Sequence, residues 1–161
     1  MEKTMAKAIT AKSNDTFLRF ALPDTDPRVF TDWCGITQKT IKWGRNLEET
    51  VVPDCDNPNI VPYVERGATS QSGTIAIQGV ITKQALGTYQ KLLKSTESLY
   101  FQLEMGFGTE KTGWQGKVQL SDFEIVADVG KTVTFSMNMS SDGPIDELET
   151  TNNNTGTGNV E

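Results

Sequence analysis

The chain has 161 residues, 15 of them basic and 21 acidic, so its formal net charge is −6 at pH 7, and it contains no histidine. The length predicts one domain with a core of ordinary size. Without histidine there is no Ser-His-Asp or Cys-His catalysis and no imidazole metal ligand, and the acidic balance argues against tight binding of nucleic-acid phosphates. No apolar run reaches the roughly 20 residues that span a membrane. No secretory signal is recognisable in residues 1–13, so we expect a protein that stays in the cytoplasm.

The first half of the chain is rich in loops. Residues 1–15 are small and polar and predict a mobile N-terminal arm, and a short apolar run at 17–22 ends in the turn-forming segment 23–27. Residues 32–43 are predicted as a strand. Residues 44–72 contain many polar residues and several prolines, and they predict a long loop, part of which could be an extended hairpin; such a segment usually has a function or is ordered by a partner.

The second half is regular. Apolar alternation predicts strands at 74–81, 99–105, 117–127 and 132–139, with a β-bulge near Ser121 and Asp122 where the alternation changes phase. One helix is predicted at 83–96, with an apolar stripe made of Ala85, Leu86, Tyr89, Leu92 and Leu93.

The fold class that follows is mainly β: an antiparallel β-sandwich or partly open barrel, flanked by one α-helix, with a long loop or hairpin insertion. The single domain is expected to span residues 16–148. Residues 149–161 form a Thr/Asn/Gly tract with almost no apolar side chain, which predicts a flexible C-terminal tail.

The two cysteines, Cys34 and Cys55, are too few for a disulfide framework or a zinc site. Two reduced thiols are the favoured interpretation, and a structural bridge between the two remains the alternative. Asp54, Asp56 and Asn57 supply oxygen atoms that could bind Ca²⁺, but Asp and Asn between prolines more often shape a turn, which we favour.

Other candidate sites are weaker. The acidic run 142–149 is interpreted as a solvated tail rather than a pair of catalytic carboxylates, and the glycines at 106 and 108 lack the remainder of a dinucleotide fingerprint. Trp33, Trp43 and Trp114 could stack on bases or sugars, although packing is favoured because no basic groove accompanies them. No nucleophile with a base emerges, so we predict a protein that is not an enzyme and has no cofactor or metal.

The order of these elements resembles the major tail tube proteins of long-tailed bacteriophages. The resemblance covers roughly residues 30–140 and rests on element order rather than on a sharp motif. The matching segments are Asp-Trp-Cys-Gly-Ile at 32–36, the insertion at 49–56, Ser-Gly-Thr-Ile-Ala-Ile-Gln-Gly at 72–79, the helix at 83–96, the strand at 100–105, Gly-Trp-Gln-Gly-Lys-Val at 113–118 and Gly-Lys-Thr-Val-Thr-Phe-Ser-Met at 130–137.

The resemblance implies a structural, non-enzymatic virion protein. Members of this family form hexameric rings whose sheets join into one β-barrel around a channel, and the rings stack into a tube for delivery of the genome into the host cell. The implied partners are further copies of the chain, the tape-measure protein, the tail terminator and the baseplate or tip proteins, while DNA passes through without tight binding. Assembly in the cytoplasm of the bacterial host is implied as well.

In such a ring the polar sheet face would line the lumen. The lumen-facing candidates are Gln102, Glu104, Gln119, Glu124, Thr132, Thr134, Ser136 and Asn138. Only two of these eight are charged, and both are acidic, as suits a channel that must not hold a polyanion. Candidates for contacts between subunits or rings lie in the 44–72 segment: Glu48, Glu49, Asp54, Asp56, Asn57, Tyr63, Glu65 and Arg66.

Three alternatives remain open at this point. One is a monomeric β-sandwich that binds a carbohydrate or peptide through Trp33, Trp43 and the proline-rich loop. A second is the tube of a contractile tail, which would need a sheath protein as partner. A hydrolase with a carboxylate pair is a third, weaker alternative, since no suitable spacing is present.

Overall fold

The computed structural model describes residues 7–23 and 29–152, with backbone only for 151–152. The predicted turn at 23–27 lies mostly outside the described residues, as do the first six residues of the predicted arm and most of the predicted tail. After a 3₁₀ turn at Ser13–Asp15, the elements are β1 (Thr16–Ala21), β2 (Ile36–Val52), β3 (Tyr63–Val80), α1 (Lys83–Lys94), β4 (Leu99–Phe107), β5 (Glu110–Val126), β6 (Thr134–Glu147) and β7 (Thr151–Asn152).

The strands form one antiparallel sheet in the order β1-β4-β5-β6-β3-β2, and β7 pairs with β5. The strand order places β1 and β2 at the two edges, and the sheet does not close by pairing β1 with β2. The predicted mainly β antiparallel fold with one helix is therefore confirmed, in its partly open form. The short strand β7 also means that the predicted C-terminal tail begins with residues that pair with the sheet.

Helix α1 packs on the sheet through a narrow stripe. The Thr82 hydroxyl oxygen caps it by accepting a hydrogen bond from the Ala85 N–H (3.3 Å). The buried helix residues are Ala85, Tyr89 and Leu92. Leu86 and Leu93, predicted in the same stripe, are instead 36% and 54% exposed. Each of these leucines follows a buried residue in the sequence and is therefore rotated by about 100° around the helix axis from it. The sheet covers only the stripe formed by the three buried residues.

The core lies between α1 and the apolar face of the sheet. Its strand residues alternate with polar ones, as predicted; they include Leu18, Phe20, Ile75, Ile77, Leu99, Phe101, Leu103, Val118, Phe135, Met137 and Met139. Tyr89 of the helix contacts the Phe135 ring at 4.9 Å and the Trp33 ring at 5.5 Å between centroids. Trp33 is buried, so its side chain serves packing rather than ligand stacking.

The long segment after Trp43 is a β-hairpin and not a loop. β2 and β3 pair from residue 36 to residue 79 around a turn at 53–62, with register shifts after Ile36 and after Asn46. β3 pairs with β6 only over 74–80, so the outer part of the hairpin, residues 45–72, projects from the sheet and every residue in it is exposed. Because neither face of this hairpin is buried in one chain, its sequence needs no apolar alternation, and alternation did not predict it.

Strands β5 and β6 agree with part of the prediction and correct another part. The predicted bulge is confirmed by a register shift between Leu120 and Asp122. The acidic run at 142–149, predicted as a tail, belongs mostly to β6, and its residues 145–147 pair with residues 114–116 of β5. The sequence Asp142-Gly143-Pro144 is typical of a strand end. In the structure these residues lie within β6, at a second register shift opposite Gly116 and Val118.

Candidate assembly surfaces

The sheet curls strongly, and one contact demonstrates it. Lys39 on the edge strand β2 donates a 2.8 Å hydrogen bond from its Nζ to the backbone oxygen of Thr16 on the opposite edge strand β1. Six strands in a flat sheet would separate these edges by about 24 Å, far beyond the reach of a lysine side chain. The polar face is therefore the outside of a curl, and its two halves point in different directions.

The predicted lumen residues fall into separate parts of this polar face. Glu124 pairs with Ser136, and Asn138 pairs with Asp122; together with Thr134 they lie on β6 and the end of β5. Gln102 and Glu104 lie on β4, between β5 and the edge strand β1. Gln102 pairs with Gln115, seven residues along β5 from Asp122, the partner of Asn138. The structure therefore does not bring the eight candidates together on one surface.

Gln119 pairs with Ser140 of β6 and so lies beside the first group, whereas Thr132 lies outside the strands. The Gln119 amide donates hydrogen bonds to the Thr96 carbonyl oxygen (3.1 Å) and to Ser98 Oγ (3.0 Å), so it joins β5 to the segment before β4. Thr132 precedes β6, next to a turn that the Lys131 N–H closes by donating a hydrogen bond to the Asp128 carbonyl oxygen (3.1 Å). The strand predicted from 132 begins at Thr134 because the turn uses the residues before it.

The β4 part of the polar face is charged. Glu104 faces two cations, Arg19 at 3.5 Å and Lys111 at 3.6 Å, and Lys117 Nζ lies 5.5 Å from the centroid of the Tyr100 ring. These cations come from other strands, Arg19 from the distant β1 and Lys111 from the neighbouring β5, so the alternation along β4 alone did not reveal them. The acidic charge of Glu104 is thus locally compensated.

The part formed by β3 and β6 is uncharged over several rows. Ser136 pairs with Gln78 and Asn138 pairs with Ala76, while Thr74 pairs with Ser140. Asp122 and Glu124 border these rows on β5, and Lys42 borders them on β2. This polar, mostly neutral surface, which we call the β3–β6 face, is defined by Thr74, Ala76, Gln78, Thr134, Ser136, Asn138 and Ser140.

The projecting hairpin has two different faces, because residues that pair across the strands share a side. On one side Arg66 forms a 2.8 Å ion pair with Glu49. The same side bears the apolar pairs Leu47–Ala68 and Val51–Val64. The other side bears Glu48, Thr50, Val52, Tyr63 and Glu65. Exposed apolar area of this extent is unusual on a monomer and is typical of an interaction surface.

The hairpin turn is held by its own side chain. Asp54 Oδ1 accepts hydrogen bonds from the backbone N–H groups of Asp56 (2.9 Å) and Asn57 (3.2 Å), which confirms the turn interpretation of this cluster. Within residues 7–23 and 29–152, no group of three or more cysteine or acidic side chains could hold a metal ion. Every hairpin residue predicted for contacts between subunits is exposed.

The cysteines lie at opposite ends of strand β2. Cys34 precedes this 17-residue strand and Cys55 follows it, so at about 3.3 Å per residue they are more than 50 Å apart. A disulfide needs Cα atoms within about 7 Å. A bridge within one chain is therefore excluded, and both thiols are free and exposed.

Trp43 and Trp114 form an edge-to-face pair with centroids 5.8 Å apart. They line a cleft of about 650 Å³ at the base of the hairpin, where Arg45 and Glu147 are the charged residues. Their packing against each other, with an interplanar angle of 61°, agrees with the packing interpretation of these tryptophans. The part of the chain that the structure describes has no helix long and apolar enough to cross a membrane.

A family model described as a phage tail tube protein matches residues 10–147 of the chain. The chain belongs to the phage tail tube protein family. No curated protein sequence matches it. This tail tube protein is a structural component of phage-like particles, and no comparison supports the alternative of a monomeric carbohydrate- or peptide-binding module.

Solved structures share the fold of this tail tube protein at low sequence identity. One is the tail of an empty gene transfer agent particle refined with C6 symmetry: TM-score 0.66, 14% identity, 86% of this chain and 98% of that chain. The SPP1 tail tube matches with TM-score 0.63 and 12% identity over 89% of this chain and 80% of that one. A chain of the anti-feeding prophage baseplate matches with TM-score 0.54 and 9% identity over 88% and 97%.

Proposed function

We propose that six copies of this protein form a ring, that the rings stack into a tail tube, and that the genome passes through the tube into the host cell. The observation that supports this most directly is the open sheet with a projecting hairpin. In a single copy, the open sheet edges have unpaired backbone groups that can pair with another chain, and the hairpin has exposed apolar side chains. The sixfold symmetry of the gene transfer agent tail supports the ring number.

Lateral contacts in the ring are assigned to the sheet edges. Among the described residues β2 pairs only with β3, so the outer edge of this 17-residue strand is open. A bridge between Phe20 and Thr31 covers only part of the β1 edge. Edges of neighbouring copies that pair or pack in the ring would remove these unpaired backbone groups.

The channel lining is assigned to the β3–β6 face, with Glu124 at its border. This surface supplies hydrogen-bonding groups without the cations that would hold DNA phosphates. Of the residues expected in the lumen from the sequence, Glu124, Thr134, Ser136 and Asn138 belong to this assignment. Gln102 and Glu104 would lie away from the channel, because they pair with the first half of β5 whereas Ser136 and Asn138 pair with its second half.

Contacts between rings are assigned to the hairpin. Its outer part extends beyond the pairing of β3 with β6, and its exposed apolar residues need a cover. We assign Glu48, Glu49, Tyr63, Glu65 and Arg66 of the strands to this contact, along with Asp54, Asp56 and Asn57 of the turn.

The remaining proposed partners follow from a tube that needs a fixed length and two ends. They are a tape-measure protein inside the tube, a tail terminator at one end and baseplate or tip proteins at the other, with assembly in the cytoplasm of a bacterial host. The similarity to a baseplate chain of the anti-feeding prophage supports a fold that serves both tube and baseplate. The role needs no catalytic residue.

Mass photometry and negative-stain microscopy of the purified chain at rising concentration test the proposed function. Sixfold rings and stacked tubes are the expected result, with tape-measure protein added as a nucleus where the chain alone stays monomeric. A chain that remains monomeric at high concentration, with and without that nucleus, and that is missing from the tail of its phage particle, would contradict the proposal.

A further inference from the structure

Helix α1 has a basic and apolar surface with no partner in the described part of the chain. It contains three lysines and no acidic residue, and none of these lysines lies within ion-pair distance of a described carboxylate. At 100° per residue, one side of the exposed helix surface combines two lysines with the two exposed leucines. This α1 patch consists of Lys83, Leu86, Gln90, Leu93 and Lys94, while Lys91 and Gln84 lie on the opposite flank.

The hairpin has the complementary chemistry. Residues 45–66 include five acidic and two basic side chains. On the side where Arg66 pairs with Glu49 the charge is compensated. On the other side, which we call the acidic hairpin face, Glu48 and Glu65 have no ion-pair partner among the described residues and lie beside Val52 and Tyr63. Tyr63 is 82% exposed.

These two surfaces lie at opposite ends of the molecule. Strand β3 has 18 residues and runs from Tyr63, next to the hairpin turn, to Val80, just before α1. At about 3.3 Å per residue the strand spans more than 50 Å. The acidic hairpin face therefore cannot reach the α1 patch of its own chain, whereas a copy stacked head to tail offers that patch at the required end.

The orientation of the hairpin is consistent with this arrangement. Glu48 and Val52 alternate in phase with Lys42 and Thr40, so the acidic hairpin face continues the polar face of the sheet. Helix α1 lies on the other, apolar face. A hairpin that passes along the helix side of the next copy would thus turn its acidic face towards the next α1.

We propose that the acidic hairpin face of one copy docks on the α1 patch of a copy in the adjacent ring. Val52 and Tyr63 cover Leu86 and Leu93, and the carboxylates of Glu48 and Glu65 meet the ammonium groups of Lys83 and Lys94. This inference rests on the proposed function, because it names the partner surface of the contact between rings. It also explains why the two predicted stripe leucines of α1 are left exposed in one copy.

A matched pair of helix variants tests the docking. Lys94→Glu and Lys91→Glu make the same charge change in the last turn of α1, so both lose the same favourable interaction with the helix dipole, but only the first is in the α1 patch. We expect Lys94→Glu to lower the mass of assembled tubes about tenfold while rings persist, since like charges would face each other across the contact. Lys91→Glu should leave assembly unchanged. Equal losses in both variants would overturn the proposal.

Charge exchange provides the second measurement. Glu65→Lys alone should reduce stacking as Lys94→Glu does, and the two substitutions combined in one chain should restore tubes, because each copy again offers complementary surfaces. A combined variant that assembles no better than either single variant contradicts the docking. Melting temperatures of all variants show that the fold is retained.

Cross-linking tests the docking even if no tube forms. In a chain with Cys34→Ser and Cys55→Ser, Tyr63→Cys is combined either with Gln90→Cys in the patch or with Gln84→Cys on the opposite flank, and a short bismaleimide is added. A ladder of linked copies from the Gln90 variant, and not from the Gln84 variant, supports the docking with or without tubes. Tubes that give no ladder from the Gln90 variant retain the proposed function and contradict the docking; no tubes and no ladder contradict both.

Discussion

Lys39 and Thr16 belong to the two edge strands of the sheet, and the Lys39 Nζ still reaches the Thr16 backbone oxygen at 2.8 Å. This contact divides the polar face into parts with different directions. The uncharged β3–β6 face, which we assign to the channel, and the charged surface around Glu104 lie on different strands of this curled sheet. The division matters because the alternation of polar residues along the chain looks the same in both parts.

Replacing Lys39 by methionine tests the contribution of this contact to stability. The variant keeps the length of the side chain but cannot donate the hydrogen bond, so we expect the free energy of unfolding to fall by about 1 kcal/mol. Lys42→Met is the matched control on the same strand. Urea denaturation measures both; if the two variants lose the same stability, the link between the edges is not stabilising.

Gly79→Ala should destabilise the fold. A Cβ at this position would collide with the backbone oxygen of Gly35, which cannot move without disturbing the start of β2. We expect a loss of about 2–3 kcal/mol, as for overpacked core sites. Gly67→Ala on the same strand meets no atom within 4 Å, and it should be neutral or slightly stabilising. Denaturant midpoints of the two variants check the contrast.

Tyr89→Phe should be neutral or stabilising by about 1 kcal/mol, because the buried Tyr89 hydroxyl has no hydrogen-bond partner in the structure. Burial, with a smaller contribution from Cys34, raises the pKa of Tyr89 from 10.0 to about 12. The unfolded chain therefore releases this proton at lower pH than the folded chain does, so this group leaves the free energy of unfolding unchanged with pH below pH 10 and lowers it as the pH rises from 10 towards 12. Denaturant unfolding measured between pH 9 and 12 checks this: the free energy of unfolding should fall more steeply with pH for the wild type than for Tyr89→Phe.

Shortening the hairpin should separate folding from stacking. Residues 47–69 can be replaced by Asn-Gly, because Asn46 and Ser70 pair directly across the strands and a two-residue turn fits that geometry. We expect the melting temperature to change little, since the removed residues are all exposed. Rings should form without stacking into tubes. Tubes of normal length from this variant would exclude the hairpin from the contact between rings.

The sequence was informative where one sheet face is buried. Alternation predicted the core residues of β3, β4 and β6 and the bulge beside Ser121, because a face packed on α1 requires apolar residues at every second position. The hairpin escaped this signal since neither of its faces is buried in one chain. Residues 142–147 were not predicted as a strand because Gly143 and Pro144 are residue types that usually end one.

The candidate surfaces could be predicted only in part. Polar residues of one strand could be grouped from the sequence, but the separation of Gln102 from Asn138 depends on how distant strands pair. The cations that compensate Glu104, namely Arg19 and Lys111, likewise come from other strands. The charged character of that surface is therefore a property of the sheet and not of any local segment.

Lysine substitutions on the two parts of the polar face test the central claim most directly. Residue 138 lies on the β3–β6 face, and residue 102 lies on β4, in the charged part of the polar face. Asn138→Lys and Gln102→Lys each add one positive charge at a polar strand position. Cryo-electron microscopy of the assembled tubes, with DNA binding measured on the same samples, should place residue 138 in a sixfold channel and residue 102 away from it, and only Asn138→Lys should retain DNA inside the tube. A tube with residue 102 lining the channel and residue 138 outside it would contradict the account.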